Sequence, residues 1–179
     1  MKMMNIVATA VVAAAGLLYA ATSAVADEKE YAKLGRWTIT AVTKGNTFGY
    51  CAADTDNGLV QLRIATNGKE WQLGNPYYGP KGAARGAWGI DGAMENVYFV
   101  HEGDSYASTD IPRRMLADLR KAKMFAIDLV RQDKGTWPSL QKWTMTGVAA
   151  AMDAAMECAR NRGVRQPAAV IGRNCPAPG

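Results

Sequence analysis

The sequence predicts a mainly β fold with two helices, either an antiparallel β-sandwich or a barrel-like sheet, with the C-terminal helix packed on it. Three observations predict this class. Short runs of alternating polar and apolar residues recur from residue 34 onward, separated by tight turns. Two runs with helical spacing follow them. The chain has 179 residues and is 49% hydrophobic, which is sufficient for one packed core.

Alternation predicts the strands, and glycine and asparagine predict the turns between them. In the first run, Trp37, Ile39 and Ala41 share one face. Asn67 and Gly68 favour the positive φ of a primed turn and close a hairpin. Strands are expected over 34–43, 48–53, 59–65, 70–73, 87–90, 96–102, 105–108, 124–130 and 143–146, with the longest irregular stretch over 75–86.

The two helices have apolar faces at helical spacing. The first is expected to open at Asp110, whose side chain would cap it, with Pro112 in the first turn. Its apolar face is Ile111, Met115 and Leu119. The second begins near Gly147 and has an apolar stripe of Val148, Met152, Ala155 and Ala159, with Asp153, Glu157 and Arg160 pointing outward.

The N-terminus has the pattern of a secretory signal peptide. Lys2 precedes an apolar run, and Ala24-Val25-Ala26 forms a small-residue cleavage site before Asp27. An uncleaved anchor is the alternative, because about 20 apolar residues span a bilayer. The alanine-rich segment lacks a basic stop-transfer flank, which favours cleavage. We therefore expect a signal peptide over 1–26, one β-rich domain over 27–163 that is periplasmic or secreted, and a flexible tail over 164–179.

The three cysteines are expected to have structural roles. Thiols in an oxidising compartment tend to pair, and Cys51 lies in a predicted strand while Cys158 lies in the last helix. We predict a Cys51–Cys158 disulfide. The alternative, Cys158–Cys175, would only hold the tail. An odd count leaves Cys175 available for an intermolecular bond.

Charge and composition exclude several classes of site. The formal net charge is +5 with acids interspersed, which permits weak attraction to anionic envelope surfaces but does not indicate nucleic-acid binding. One His and three Cys do not supply a zinc cluster. Residues 54–58 resemble the opening of a calcium loop, yet Ala65 stands where that loop needs Glu. Residues 79–86 lack the Gly-Lys-Ser/Thr ending of a phosphate loop. No metal or cofactor is predicted.

The candidate ligand-binding residues come from the longest irregular stretch and its C-terminal flank. They are Tyr77, Tyr78, Lys81, Arg85 and Trp88, which combine aromatic area with positive charge. Such residues often dominate the binding energy of interfaces. The alternative is a loop that merely connects two strands.

Candidate catalytic residues are few. His101 stands beside Glu102 without a recognisable nucleophile, and the G-x-S-x-G motif is absent, so a structural role is expected. Asp91, Glu95, Glu102 and Asp104 are close in sequence. They form either a paired acid/base site of a hydrolase or ordinary acids of turns and strand edges.

Residues 110–127 combine a short helix, a Lys-Ala-Lys triplet and a strand, and Thr146-Gly147 then opens an alanine-rich helix. This order, with Trp37 on the first strand and Cys51 on the second, resembles the invasion-associated locus B family. These are small exported proteins of alphaproteobacteria, with uncharacterised periplasmic relatives. The resemblance implies a mainly β exported domain without enzymatic activity, associated with the cell envelope or with host interaction. It assigns no functional residue.

The leading hypothesis is an exported, non-enzymatic protein that binds an envelope or host component through its Tyr77–Trp88 loop. One alternative is an exported inhibitor of a protease or lysozyme. Another is a small hydrolase that uses the acidic site.

Overall fold

The computed structural model describes residues 26–77, 80–102, 106–129 and 140–165. The strands are β1 (Ala26–Leu34), β2 (Trp37–Lys44), β3 (Thr47–Asp56), β4 (Gln61–Thr66), β5 (Trp71–Pro76), β6 (Gly82–Ile90), β7 (Ala93–His101), β8 (Tyr106–Asp110), β9 (Met124–Leu129) and β10 (Leu140–Thr144). The helices are α1 (Arg113–Leu119) and α2 (Val148–Arg160). The predicted mainly β class with a C-terminal helix packed on the sheet is confirmed.

All ten strands belong to one antiparallel sheet with the order β1-β2-β3-β4-β5-β8-β7-β6-β9-β10. The sheet curves until β10 lies against the β3–β4 turn. There the Asn57 side-chain amide donates to the carbonyl oxygen of Lys142 at 3.2 Å, and the Trp143 indole N–H donates to the carbonyl oxygen of Val60 at 2.9 Å. This single curved sheet corresponds to the barrel-like arrangement of the two that were predicted.

The core lies between the inner face of the sheet and α2. Alternation places large apolar side chains on this face, and Trp37, Ile39, Leu62, Ile64, Leu73, Phe99, Phe125, Ile127 and Trp143 are all fully buried. α2 contributes its predicted stripe, together with Ala151. Because most of these helix residues are alanines, the helix axis approaches β2 and β3 closely.

A disulfide joins Cys51 on β3 to Cys158 on α2, with a Cα–Cα distance of 6.0 Å, as predicted. Both residues are buried. Since Cys158 is bonded to Cys51, the alternative pairing with Cys175 is wrong. Cys175 itself lies outside the described residues.

Two strands differ from the sequence-based expectation. β1 was not predicted, because its charged residues Asp27, Glu28, Lys29 and Glu30 give no apolar alternation. The prediction of an irregular stretch over 75–86 is also largely wrong, because β5 extends to Pro76 and β6 begins at Gly82.

β6 consists mainly of Gly and Ala, which resemble a loop in the sequence but are required by packing. β6 pairs with both β7 and β9. A Cβ atom added at Gly86 would lie 2.8 Å from the carbonyl oxygen of Asp128 and 3.1 Å from the Phe99 ring. Small residues are therefore needed at the centre of this part of the sheet.

The predicted Asp110 cap of α1 is wrong. Asp110 is the last residue of β8, where its carboxylate accepts a hydrogen bond from the Gln72 amide at 3.0 Å. The Ile111 N–H still donates to Trp71 on β5, so the helix starts only after Pro112. No side chain caps it. Met115 and Leu119 form the buried face of α1 as predicted, whereas Ile111 is buried but lies before the helix.

The ends of the chain are only partly described. Of the predicted signal peptide over 1–26, residues 1–25 lie outside the described part, and Ala26 is the first residue of β1. The predicted tail likewise falls outside it, except for Val164 and Arg165. Among the described residues, neither helix is long and apolar enough to cross a membrane.

The disulfide generates a stability prediction. It closes a loop of 107 residues, for which chain entropy gives an upper value of about 5 kcal/mol. We expect the double variant Cys51→Ala, Cys158→Ala to lose between about 2 and 5 kcal/mol in the free energy of unfolding, measured by urea denaturation. Reductant should lower the stability of the parent protein and leave the double variant unchanged. Equal stability of the two proteins without reductant would contradict the assignment.

Candidate functional site

The predicted binding residues Tyr77 and Trp88 belong to the core. Tyr77 is 2% exposed, and its ring packs edge-on against the His101 ring, with a centroid distance of 5.0 Å. Trp88 is 3% exposed, and its indole N–H donates to a carboxylate oxygen of Glu95 at 2.6 Å. A single loop that presents both aromatic rings to solvent is therefore not formed.

The basic members of the predicted set remain at the surface. Lys81 and Arg85 are exposed, and the Arg85 guanidinium lies 5.9 Å from the centroid of the Tyr98 ring on the neighbouring strand. Tyr78 lies outside the described residues. Of the four predicted binding residues that the structure describes, Lys81 and Arg85 thus lie at the surface.

The structure separates the predicted acidic cluster. Asp91 lies in the β6–β7 turn, and its carboxylate accepts hydrogen bonds from the backbone N–H groups of Lys123 and Met124 at 2.9 and 2.8 Å. Glu95 accepts from Trp88 and Arg114.

Glu102 follows the opposite end of β7, so seven residues of strand place it about 23 Å from Glu95. Asp104 lies outside the described residues. His101 is buried, with Nδ1 3.1 Å from the carbonyl oxygen of Pro80, in agreement with a structural role.

A cleft of about 380 Å³ opens on the outer face of the sheet, opposite α2. We call it the outer-face cleft. Strands β3, β4, β5, β8 and β7 form its floor and walls. Its lining includes Tyr50, Arg63, Glu70, Gln72, Gly74, Val100, Glu102, Tyr106 and Ser108.

The strand registers explain why the cleft lies there. Arg63 pairs with Gly74, Gly74 with Ser108, and Ser108 with Val100, so these four residues form one row across the sheet. Gly74 and Ser108, in the middle of this row, are small, so the floor of the cleft is lower there than at Arg63 and Val100. A Cβ atom at Gly74 would touch both Arg63 and Tyr106 at 3.5 Å.

Arg63 forms the best-ordered wall of the cleft. Its neighbours Leu62 and Ile64 point into the core, so alternation places Arg63 on the outer face. The guanidinium bonds both oxygens of Asp54 at 2.8 and 3.0 Å, and both oxygens of Glu28 at 2.7 and 3.0 Å. Its side chain is only 8% exposed. Two planar bidentate pairs therefore fix the guanidinium in one orientation.

The charges of this network stabilise one another. Burial alone would lower the pKa of Arg63, but its hydrogen bonds to Glu28 and Asp54, with their negative charges, outweigh burial and raise it. Hydrogen bonds from Arg63 hold the pKa of Glu28 below its usual range, against a smaller effect of burial. Arg63 and Glu28 are thus both charged at neutral pH.

Tyr106 completes the wall. Its ring lies 5.1 Å from the Arg63 guanidinium, and its hydroxyl donates to the side-chain oxygen of Gln61 at 2.6 Å. Burial is the main cause that raises the pKa of the Tyr106 hydroxyl, partly opposed by the charge of Arg63. The hydroxyl therefore stays protonated at neutral pH.

The arrangement suits binding more than proton transfer. Arg63 is permanently charged, and its two carboxylates are occupied by it, so neither is placed as a general base. Among the described residues, no group of three or more His, Cys, Asp or Glu side chains could hold a metal ion. Rings, amides and carboxylates around a preformed floor are typical of a small-ligand site.

Sequence reasoning missed the cleft, although it predicted the strand over 59–65 that contains Arg63. The alternation of Leu62, Arg63 and Ile64 was visible. The partner Glu28 lies 35 residues away in a strand without an apolar pattern, and only the β1–β2–β3–β4 registers bring the two together. An arginine between two apolar residues, in the middle of a strand, was the available signal.

Comparisons with known proteins add no relative. No family model matches the chain, no curated protein matches it, and no solved structure matches it.

Arg63 generates the first prediction for this site. We expect Arg63→Met to lose about 3 to 5 kcal/mol in the free energy of unfolding, because the buried carboxylate of Asp54 would lose its charged partner and keep only the hydrogen bond from the Thr40 hydroxyl. The exposed pair of Arg114 and Glu95 offers a control, and Arg114→Met should lose less than about 1 kcal/mol. Adding Asp54→Asn to Arg63→Met should restore part of the loss. Similar urea midpoints for Arg63→Met and Arg114→Met would contradict the buried network.

Glu28 generates a pH prediction. Its pKa is lower in the folded than in the unfolded protein, so its contribution to stability is complete above the ordinary value of 4.5 and is lost as pH falls through the folded value. We expect Glu28→Gln to reduce the stability difference between pH 6 and about pH 3. Glu30→Gln, on the same strand but without an ion pair among the described residues, is the control. Urea unfolding across this range measures both, and identical pH profiles would refute the assignment.

Proposed function

We propose that this chain is an exported, non-enzymatic binding protein that takes a component of the cell envelope or of a host into the outer-face cleft. The observation that carries the proposal is the preformed cleft itself, with a floor of small residues and a wall fixed by Arg63. A site that is ordered before the ligand arrives loses less conformational entropy on binding. A larger part of the interaction energy with the ligand then contributes to affinity.

The scaffold supports a role outside the cytoplasm. A disulfide between two buried cysteines persists in oxidising compartments and is rare in reducing ones. The signal-peptide pattern before Asp27 and the resemblance to small exported proteins favour the same location. The resemblance also favours binding over catalysis.

The proposed contact surface differs from the loop that the sequence suggested. Val100 lies at the rim of the cleft. Tyr98 lies two residues earlier on the same face of β7, and the Arg85 guanidinium lies over the Tyr98 ring. The exposed side chains of Val100 and Tyr98 extend the cleft along the sheet. Of the predicted residues, Lys81 and Arg85 lie at the surface, whereas Tyr77 and Trp88 are buried in the core.

No observation among the described residues supports either alternative function. The inhibitor hypothesis relied on an exposed aromatic loop, and two of its rings are buried. The hydrolase hypothesis relied on paired carboxylates, and Asp91 and Glu95 are bonded to other groups far from Glu102. The cleft therefore gives binding the strongest support.

A blocking substitution tests the proposal. Ser108 lies at the centre of the floor, so Ser108→Tyr should fill the cleft while tyrosine remains favourable in a strand. We expect this variant to lose saturable binding to isolated cell-envelope fragments or to host extracellular matrix, measured by co-sedimentation over a range of protein concentrations.

Thr144→Tyr, on exposed β10, adds the same side chain away from the cleft and should bind as the parent does. Both variants should first show the circular dichroism and the unfolding midpoint of the parent protein. If folded Ser108→Tyr binds as well as Thr144→Tyr, the cleft is not the binding site.

A further inference from the structure

The outer-face cleft carries two carboxylates that the fold does not use. Glu70 approaches from the β4–β5 turn and Glu102 from the end of β7, and both are exposed. Within the described part of the chain, neither carboxylate accepts a hydrogen bond or joins an ion pair. The structural acids of this region, Asp54 and Glu28, are by contrast fully engaged by Arg63.

The charge of the cleft is opposite to that of the whole chain. Arg63 is its one cationic lining residue among those described, and Glu70 and Glu102 are the two anionic ones. One positive and two negative charges give −1, and the positive charge is already paired with Glu28 and Asp54, on a chain whose formal charge is +5. A cleft concentrates the field of the charges that line it. The local field therefore attracts cations, although the protein as a whole attracts anions.

Apolar surface lies directly beside these carboxylates. Val100 is 49% exposed at the rim, and the half-buried ring of Tyr50 lines the opposite side. Aromatic faces attract cations as well as apolar groups. The lining of the cleft thus combines exposed carboxylates with apolar side chains.

We propose that the cleft recognises a lysine or arginine side chain of a polypeptide partner, with an apolar residue of the same segment packed on Val100 and Tyr98. This inference rests on the proposed binding function and adds the class of ligand. An amine-bearing lipid headgroup fits less well, because the phosphate beside its amine would face Glu70 and Glu102. A lysine or arginine side chain has no anion attached to it.

Three capped tripeptides test the inference, with lysine, glutamine or glutamate between two phenylalanines. Titration of the purified protein, followed by backbone amide chemical shifts, gives affinity and location together. We expect the lysine peptide to bind at least about tenfold more tightly than the glutamate peptide, with the largest shifts in β7 and β8. Non-specific attraction to a basic protein would give the reverse order. Equal or tighter binding of the glutamate peptide would overturn the inference.

Variants locate the charge. Glu70→Gln and Glu102→Gln should each weaken the lysine peptide about threefold, and the double variant about tenfold, because exposed charge pairs contribute modestly. Glu157→Gln on α2 removes the same charge at a distant exposed position and should change nothing. All three positions are exposed, so folding should be preserved. Loss of affinity in Glu157→Gln equal to that in the cleft variants would contradict a local site.

The outcomes separate this inference from the proposed function. If Ser108→Tyr abolishes binding of envelope or host material but the double Glu variant does not, the cleft binds a ligand and the cationic class is wrong. If neither variant affects that binding, both proposals fail. Vesicles of phosphatidylethanolamine form a further arm. If they compete with the envelope or host ligand and the lysine peptide does not, the ligand is a lipid and the polypeptide assignment falls.

Discussion

The link between Cys51 and Cys158 determines which face of the sheet is covered. It holds α2 against β3, so the helix and the large apolar side chains of the inner face form one core. No other helix among the described residues is long enough to cover the opposite face of these strands. That outer face therefore remains open to solvent where β3, β4, β5, β8 and β7 meet, and the cleft forms on it.

An open face would normally carry scattered polar residues, but here one part of it is ordered. Arg63 is bonded to two carboxylates and lies beside the ring of Tyr106, and each of its three guanidinium nitrogens donates a hydrogen bond. Charges that are nearly excluded from water interact more strongly than surface pairs do. The arginine therefore behaves as a rigid part of the scaffold, while Glu70 and Glu102 remain available to a ligand.

Much of the fold follows from local sequence. The Asn67-Gly68 turn, the alternation around Trp37 and the pairing of Cys51 with Cys158 are predicted without knowledge of strand order. β1 and β6 are not, because one is highly charged and the other is rich in Gly and Ala, and their strand character comes from their neighbours. The cleft depends on registers between five strands, so no local pattern could predict that Arg63, Gly74 and Ser108 share a row.

The charges of β1 have a consequence beyond the pairing of Glu28. β1 is an edge of the ten-stranded sheet, and such an edge is a template for another strand and hence for fibrous aggregation. Asp27, Lys29, Glu30 and Lys33 are exposed along it. An added strand would have to strip water from these groups at once, so the edge is protected against growth. The same short segment thus completes the ion network of Arg63 on one face and discourages polymerisation along its border.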